Sequence, residues 1–87
     1  MSRRDKRLEK IRHNPKNVSF EELQTILLSF GFKLDRVAGS HHIFVLEVDD
    51  NDKKVLTVPF RRPLKPIYVK QAIHLIDRYV LGDDIDE

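Results

Sequence analysis

Two adjacent histidines, His41 and His42, are the side chains in this sequence best suited to reaction chemistry. They follow a Gly39-Ser40 pair, which is typical of a tight turn, and they begin an apolar, strand-like run. A histidine side chain can both give and take a proton near neutral pH. The chain has no cysteine, so thiol catalysis, disulfides and cysteine-based zinc sites are excluded. If the chain catalyses a reaction, acid–base chemistry by histidine is therefore the type that this sequence favours. The alternative is that His41 is an ordinary exposed strand residue and that His42 packs at the edge of the core.

Strand alternation predicts different surroundings for the two rings, because successive strand residues point to opposite faces of a sheet. The face of His42 is the more apolar and carries the larger side chains: Phe44, Leu46 and Val48. We therefore predict that His42 begins the buried face and that His41 stands on the open face. The opposite assignment stays open, because the His41 face is also partly apolar and a one-residue slip would exchange the faces.

The histidine pair does not predict a metal site. Adjacent strand residues point apart and cannot chelate one ion, and the sequence has no His-x-His or His-x3-His spacing. Residues 49–52, which are Asp-Asp-Asn-Asp, lack the central glycine and final glutamate of a calcium loop, so they predict a hairpin turn. We predict no bound metal and no cofactor.

A second segment, residues 59–72, is suited to binding an anion. It carries four cations and a phenol but no acidic residue: Arg61, Arg62, Lys65, Lys70 and Tyr68. Pro66 is well placed to begin a helix, and a helix N-terminus beside Lys and Arg favours anions. The alternative is a proline-stiffened connector whose charges are merely solvated.

Length and composition predict one small globular domain. The chain has 87 residues, of which 40% are hydrophobic and 34% charged, and this balance favours a folded chain over a disordered one. No apolar run approaches the roughly 20 residues that span a bilayer, and the N-terminus is charged. We expect no membrane segment, no secretory signal and a cytoplasmic location.

Charge is distributed unevenly along the chain, although the net charge is only +2. Residues 1–17 carry seven Lys or Arg, and residues 83–87 carry four acidic side chains. We predict a basic N-terminal helical extension over 1–17, a folded domain over 18–82 and an acidic tail over 83–87. Two basic segments are compatible with binding a polyanion such as RNA, and a solvated surface of mixed charge is the alternative.

Local signals predict an αβββα order of elements. Ser19 and Glu22 fit a capping box that begins a helix over about 20–30, and Gly31 is suited to end it. Three strands and a last helix follow, over residues 32–37, 41–48, 53–60 and 66–81. We predict an α+β fold in which a three-stranded antiparallel sheet carries two helices on one face. A short, mostly exposed basic helix precedes it.

Three motifs, taken together, resemble a known family: Gly39-Ser40-His41-His42-Ile43-Phe44, Leu56-Thr57-Val58-Pro59 and Leu64-Lys65-Pro66-Ile67-Tyr68-Val69-Lys70-Gln71. In order and spacing they are similar to the HicA toxins of bacterial and archaeal toxin–antitoxin systems, over about residues 18–80. The resemblance implies a fold similar to double-stranded-RNA-binding domains. It also implies a ribonuclease that cleaves mRNA and is neutralised by a HicB-type antitoxin protein.

The resemblance also implies roles for residues. The histidine of the Gly-Ser-His motif is His41, and His42 is the second choice because some family members place the catalytic histidine one position later. We expect the RNA-binding residues to be Ser40, Arg61, Arg62, Lys65, Tyr68 and Lys70. Many relatives carry a further histidine after the residue that corresponds to Pro59, where this chain has Phe60. The second proton-transfer group is therefore not identified.

Two alternatives belong to other functional classes. The same fold can serve as a non-catalytic RNA-binding module, since shape readout of duplex RNA requires basic patches and no catalytic histidine. It can also serve as a protein-interaction module whose open sheet face is covered by a partner.

Overall fold

The computed structural model describes residues 2–82, and the predicted acidic tail 83–87 lies outside the described residues. The elements, in chain order, are helix α1 (Arg3–His13), a 3-10 turn (Pro15–Asn17), helix α2 (Phe20–Ser29), strands β1 (Lys33–Ala38), β2 (His41–Asp49) and β3 (Asp52–Pro59), and helix α3 (Pro66–Leu75), which continues as a π-helical turn (Ile76–Val80). This order confirms the predicted αβββα pattern with an additional N-terminal helix.

The three strands form one antiparallel sheet in the order β1-β2-β3. At one end of the sheet, His41 pairs with Ala38 of β1 and with Pro59 of β3. A bulge interrupts β1 between Leu34 and Arg36, and beyond it Arg36 pairs with Ile43. The meander confirms the predicted topology.

Helices α2 and α3 pack on one face of the sheet, α1 packs against these two helices, and all of them share one core with the sheet. The capping box of α2 is complete, since the Ser19 hydroxyl accepts the Glu22 N–H and the Glu22 carboxylate accepts the Ser19 N–H. Fully buried side chains come from both main helices and from two strands: Leu23, Ile26 and Leu27 of α2, Val69 and Ala72 of α3, Phe44 of β2 and Val58 of β3. The predicted arrangement of two helices on one face is confirmed.

Helix α1 also contributes to this core. Its Leu8 and Ile11 are buried, whereas most of the remaining helix is exposed. Arg12 binds both carboxylate oxygens of Asp77 at 2.7 and 2.8 Å, and this hydrogen-bonded pair raises the pKa of Arg12 above its ordinary value. The apolar pair and the ion pair join α1 to the rest of the fold. The division of the chain into 1–17 and 18–82 stays a prediction.

The opposite face of the sheet carries no helix in the described part of the chain. Its side chains belong to alternate strand residues and include Arg36, His41 and Val45, with Val55 59% exposed. No helix within residues 2–82 is long and apolar enough to cross a membrane.

Candidate active site

The two histidines lie on different faces of the sheet, as strand alternation predicted. His41 is exposed on the open face, while His42 is half-buried on the helix-covered face. The ring centroid of His42 lies 4.6 Å from that of Phe20 and 6.1 Å from that of Phe60. Packing therefore restrains His42 more than His41, and solvent reaches His41 more freely.

A backbone hydrogen bond connects the turn at Gly39-Ser40 (the histidine turn) to the start of the loop over residues 60–65 (the basic loop). Gly39 has a φ of 63°, a left-handed conformation that favours glycine, and the chain reverses there between β1 and β2. The Phe60 N–H donates to the Ser40 carbonyl at 2.7 Å. His42 Nδ1 lies 3.3 Å from the same carbonyl oxygen. The backbone thus joins the histidine turn to the point where the loop after β3 begins.

An aromatic cluster on the helix-covered side was not predicted from the sequence. Phe60 stacks on Phe20 with ring centroids 4.9 Å apart and planes 11° apart. The guanidinium of Arg62 lies 5.5 Å from the Phe60 centroid, and Phe60 is 40% exposed. The position of Phe60 directly after β3, beside two arginines, was the available signal. The partner ring at Phe20 is 40 residues away in sequence, so no local pattern indicates the pairing.

The side chains of the basic loop lie toward helix α2. Arg61 and Arg62 line a concavity of about 310 Å³ together with Lys16 and Phe20. Arg62 also donates to the Glu21 carboxylate at 3.0 Å. The loop begins at the His41 end of the sheet, but Arg61 and Arg62 share their side of it with His42.

Three other predicted RNA-binding residues lie in three different places. Lys65 is exposed at the N-cap of α3, and no described residue in the first turn of that helix is acidic. Tyr68 is half-buried against the core. Lys70 lines a separate groove between α3 and β3. The structure therefore does not bring all six predicted residues into one patch.

Arg36 is a further cation near His41 that the sequence reasoning missed. Its partner Ile43 is on the same face of the sheet as His41, and Arg36 is the diagonal neighbour of His41 across β1 and β2. Such diagonal pairs lie within reach of a long side chain. The Gly39-Ser40 turn sets this register, because it places Ala38 opposite His41 and Arg36 opposite Ile43, and strand alternation from that turn was the available signal.

Within residues 2–82, no three His, Asp or Glu side chains lie close enough together to hold a metal ion. The geometry instead offers an exposed imidazole, a packed imidazole and several cations around one end of the sheet.

The protein is a small α+β domain whose fold is similar to that of double-stranded-RNA-binding domains. A family profile described as "HicA toxin of bacterial toxin-antitoxin" matches residues 20–77, which is more than half of the chain. The chain therefore belongs to the HicA family of toxins, and this membership implies an antitoxin partner. The matched range contains both histidines and the whole basic loop. Comparisons with curated proteins and with solved structures find no match.

Proposed function

We propose that this protein is an endoribonuclease that cleaves mRNA by histidine acid–base chemistry and is neutralised by a HicB-type antitoxin. His41 is the first candidate for proton transfer and His42 the second. The observation that carries the proposal is the hydrogen bond from the Phe60 N–H to the Ser40 carbonyl at 2.7 Å. This bond joins an exposed histidine to the start of a basic loop, so a candidate acid–base group and candidate phosphate-binding groups lie at one end of the sheet.

In the proposed reaction, His41 takes the proton of a ribose 2′-hydroxyl. The 2′-oxygen bonds to phosphorus, the bond from phosphorus to the 5′-oxygen breaks, and the 5′-oxygen takes up a proton. The products are a 2′,3′-cyclic phosphate and a 5′-hydroxyl, and the proposed mechanism uses no metal ion. Since His41 and His42 face opposite sides of the sheet, we propose that only one of them contacts the reacting phosphate.

Cations around the histidine turn support phosphate binding. Arg36 lies on the open face with His41, while Arg61, Arg62 and Lys65 follow the end of β3. Fixed positive charges stabilise the negative charge that develops on a transferring phosphate, and phosphate contacts supply most of the affinity for RNA. We propose that the loop cations hold the RNA backbone beside the histidine turn.

The experiment compares His41→Ala, His42→Ala and the matched surface control His13→Ala. We expect His41→Ala to lower RNA cleavage by about 10²- to 10⁴-fold, the usual contribution of general acid–base catalysis, and to abolish growth arrest on expression. His13→Ala should cleave like the wild type. Circular dichroism checks that each variant is folded.

Full cleavage by a folded His41→Ala variant would contradict the first assignment, and loss of cleavage only in folded His42→Ala would transfer the role to His42. In a second arm, the protein encoded by the adjacent reading frame is added. A HicB-type antitoxin should co-purify with the toxin and suppress cleavage.

The second candidate function is RNA binding without cleavage. The exposed cations on both sides of the sheet favour this second candidate, since they suffice for contacts with the phosphates of an RNA backbone. Cleavage by histidine should follow pH between about 5 and 8, whereas simple binding should depend mainly on salt concentration. RNA that is bound but not cut at any pH in this range would favour the second candidate.

A further inference from the structure

A groove of about 570 Å³ runs between the outer edge of β3 and helix α3, and neither His41 nor His42 lines it. Val55 and Thr57 form its strand side, and Ile67, Lys70 and His74 form much of its helix side. Of the residues that line the groove, only Lys70 was predicted to bind RNA. The position of the groove beside a free sheet edge is the first indication of what it binds.

The register of the sheet shows which backbone groups of β3 face the groove. The bond from the Phe60 N–H to the Ser40 carbonyl identifies residues 40 and 60 as a hydrogen-bonded pair. Because such pairs alternate along antiparallel strands, Leu56 and Val58 direct their N–H and C=O groups toward β2. Val55 and Thr57 therefore direct theirs outward. β3 is an edge strand, so no strand of the described chain receives these groups.

Side chains around these backbone groups are apolar and basic. Val55 is 59% exposed and Ile67 is 54% exposed, although both are large apolar residues. Lys70 and His74 add one cation and one titratable group, and no acidic residue of the described chain lines the groove. An occupant with apolar side chains and negative charge would complement this lining.

The opposite edge of the sheet is not suited to the same purpose. Strand β1 is interrupted by the bulge at Asp35, and it carries Lys33 and Arg36. Bulges and charged residues are the usual means by which edge strands resist pairing with another chain. On β3, lysines occur only near the start and a proline only at the end, so the central Val55-Leu56-Thr57 carries neither a charge nor a proline.

We propose that the β3–α3 groove binds an extended, acidic segment of a partner protein, which adds to the sheet as a fourth strand beside β3. The partner's backbone bonds to the outward groups of Val55 and Thr57. Its apolar side chains cover Val55 on the open side of the sheet, and its carboxylates face Lys70 on the helix side. Strand addition in a groove between an edge strand and a helix is a common mode of peptide recognition.

Charge distinguishes this occupant from a second copy of the chain. The β3 strand of a second copy has two lysines and no acidic side chain over residues 53–59, so it offers no carboxylate to Lys70, and its Pro59 has no N–H to donate. RNA would satisfy Lys70 but would leave the apolar side chains without partners and most outward backbone groups unpaired.

In the test, the full chain is titrated with a seven-residue peptide of alternating valine and glutamate, and NMR spectra of the backbone amides monitor binding. A peptide with lysine in place of glutamate is the matched control. We expect the acidic peptide to shift the amides of Val55 and Thr57 and to slow their hydrogen exchange, with the lysine peptide binding about threefold or more weakly.

Two variants locate the site. Thr57→Pro removes an outward N–H without removing a bond to β2, so the fold should persist while peptide binding is lost. Val37→Pro is the matched change on the β1 edge, because Val37 pairs with His42 and its N–H is also directed outward. This variant should bind the peptide normally. Lys70→Glu should reverse the preference between the two peptides.

Equal binding of both peptides, or shifts confined to the open sheet face, would overturn the proposal. So would amide shifts at Val55 and Thr57 that grow with protein concentration alone, which identify a second copy, or that arise only with single-stranded RNA. These outcomes are independent of cleavage, so they do not depend on the proposed nuclease activity.

Discussion

The two faces of the sheet differ in what they contribute, although the same strands form both. On the helix-covered face, Phe44 and Val58 are completely buried. On the open face, His41 of β2 and Val55 of β3 are exposed to solvent. Because side chains alternate along a strand, β2 supplies core residues and candidate site residues in turn. Substitutions on one face should therefore change stability, and substitutions on the other should change activity or binding.

The largest effect should come from removing a core ring. Phe44→Ala should lower the free energy of unfolding by about 3–5 kcal/mol, because it deletes a fully buried aromatic side chain from the centre of the covered face. Urea denaturation measures this. The matched change on the open face, Val55→Ala, should cost less than about 1 kcal/mol. Similar losses for both variants would contradict the division between the faces.

A smaller effect should separate the two histidines by stability. His42→Ala removes a ring that packs on Phe20 and should cost about 1 kcal/mol. His41→Ala should change the free energy of unfolding by less than about 0.5 kcal/mol, as is usual for surface residues. Thermal denaturation of both variants provides the measurement. A larger loss for His41→Ala than for His42→Ala would reverse the assignment of faces.

The next effect concerns the attachment of α1 to the covered face. Asp77→Asn weakens the two hydrogen bonds to Arg12 and should cost about 1 kcal/mol, since the pair is only partly exposed. The control is Glu9→Gln, which loosens the more exposed partner of the same arginine at 3.3 Å and should cost less than about 0.5 kcal/mol. Urea denaturation of the two variants compares them. Equal costs would show that the bidentate geometry adds nothing.

The smallest effect depends on pH. Hydrogen bonding from the Ser19 N–H, assisted by Lys10, holds the pKa of Glu22 below its ordinary value of 4.5. The folded state therefore binds this proton less tightly than the unfolded state. The resulting stabilisation is present above pH 4.5 and is lost as pH falls through the lower folded-state pKa.

Glu22→Gln keeps the capping geometry and removes the charge. Since the Glu22 side chain is partly exposed, the variant should be less stable by only about a few tenths of a kcal/mol at neutral pH. Urea denaturation near pH 7 and near pH 3 should show the difference from wild type shrinking at the lower pH. A difference that grows on acidification would contradict the direction of the pKa shift.

Most of the fold was predictable because its signals are local. The capping box at Ser19 and Glu22, the left-handed Gly31 after α2 and the alternation of β2 each involve residues a few positions apart. The candidate site was only partly predictable. The faces of His41 and His42 follow from alternation, but the side chosen by Arg61 and Arg62 depends on contacts with a distant helix.

The sequence by itself determined the order of elements, the histidine turn and the separation of the two imidazoles, because helix caps and strand periodicity act over short stretches of chain. Only the tertiary structure decided that Phe20 meets His42 and Phe60, that the bulge at Asp35 places Leu34 opposite Phe44, and that β3 keeps a free edge beside α3. These features depend on packing between segments far apart in the chain. Such contacts are selected by the shape and burial of the whole core rather than by any local pattern.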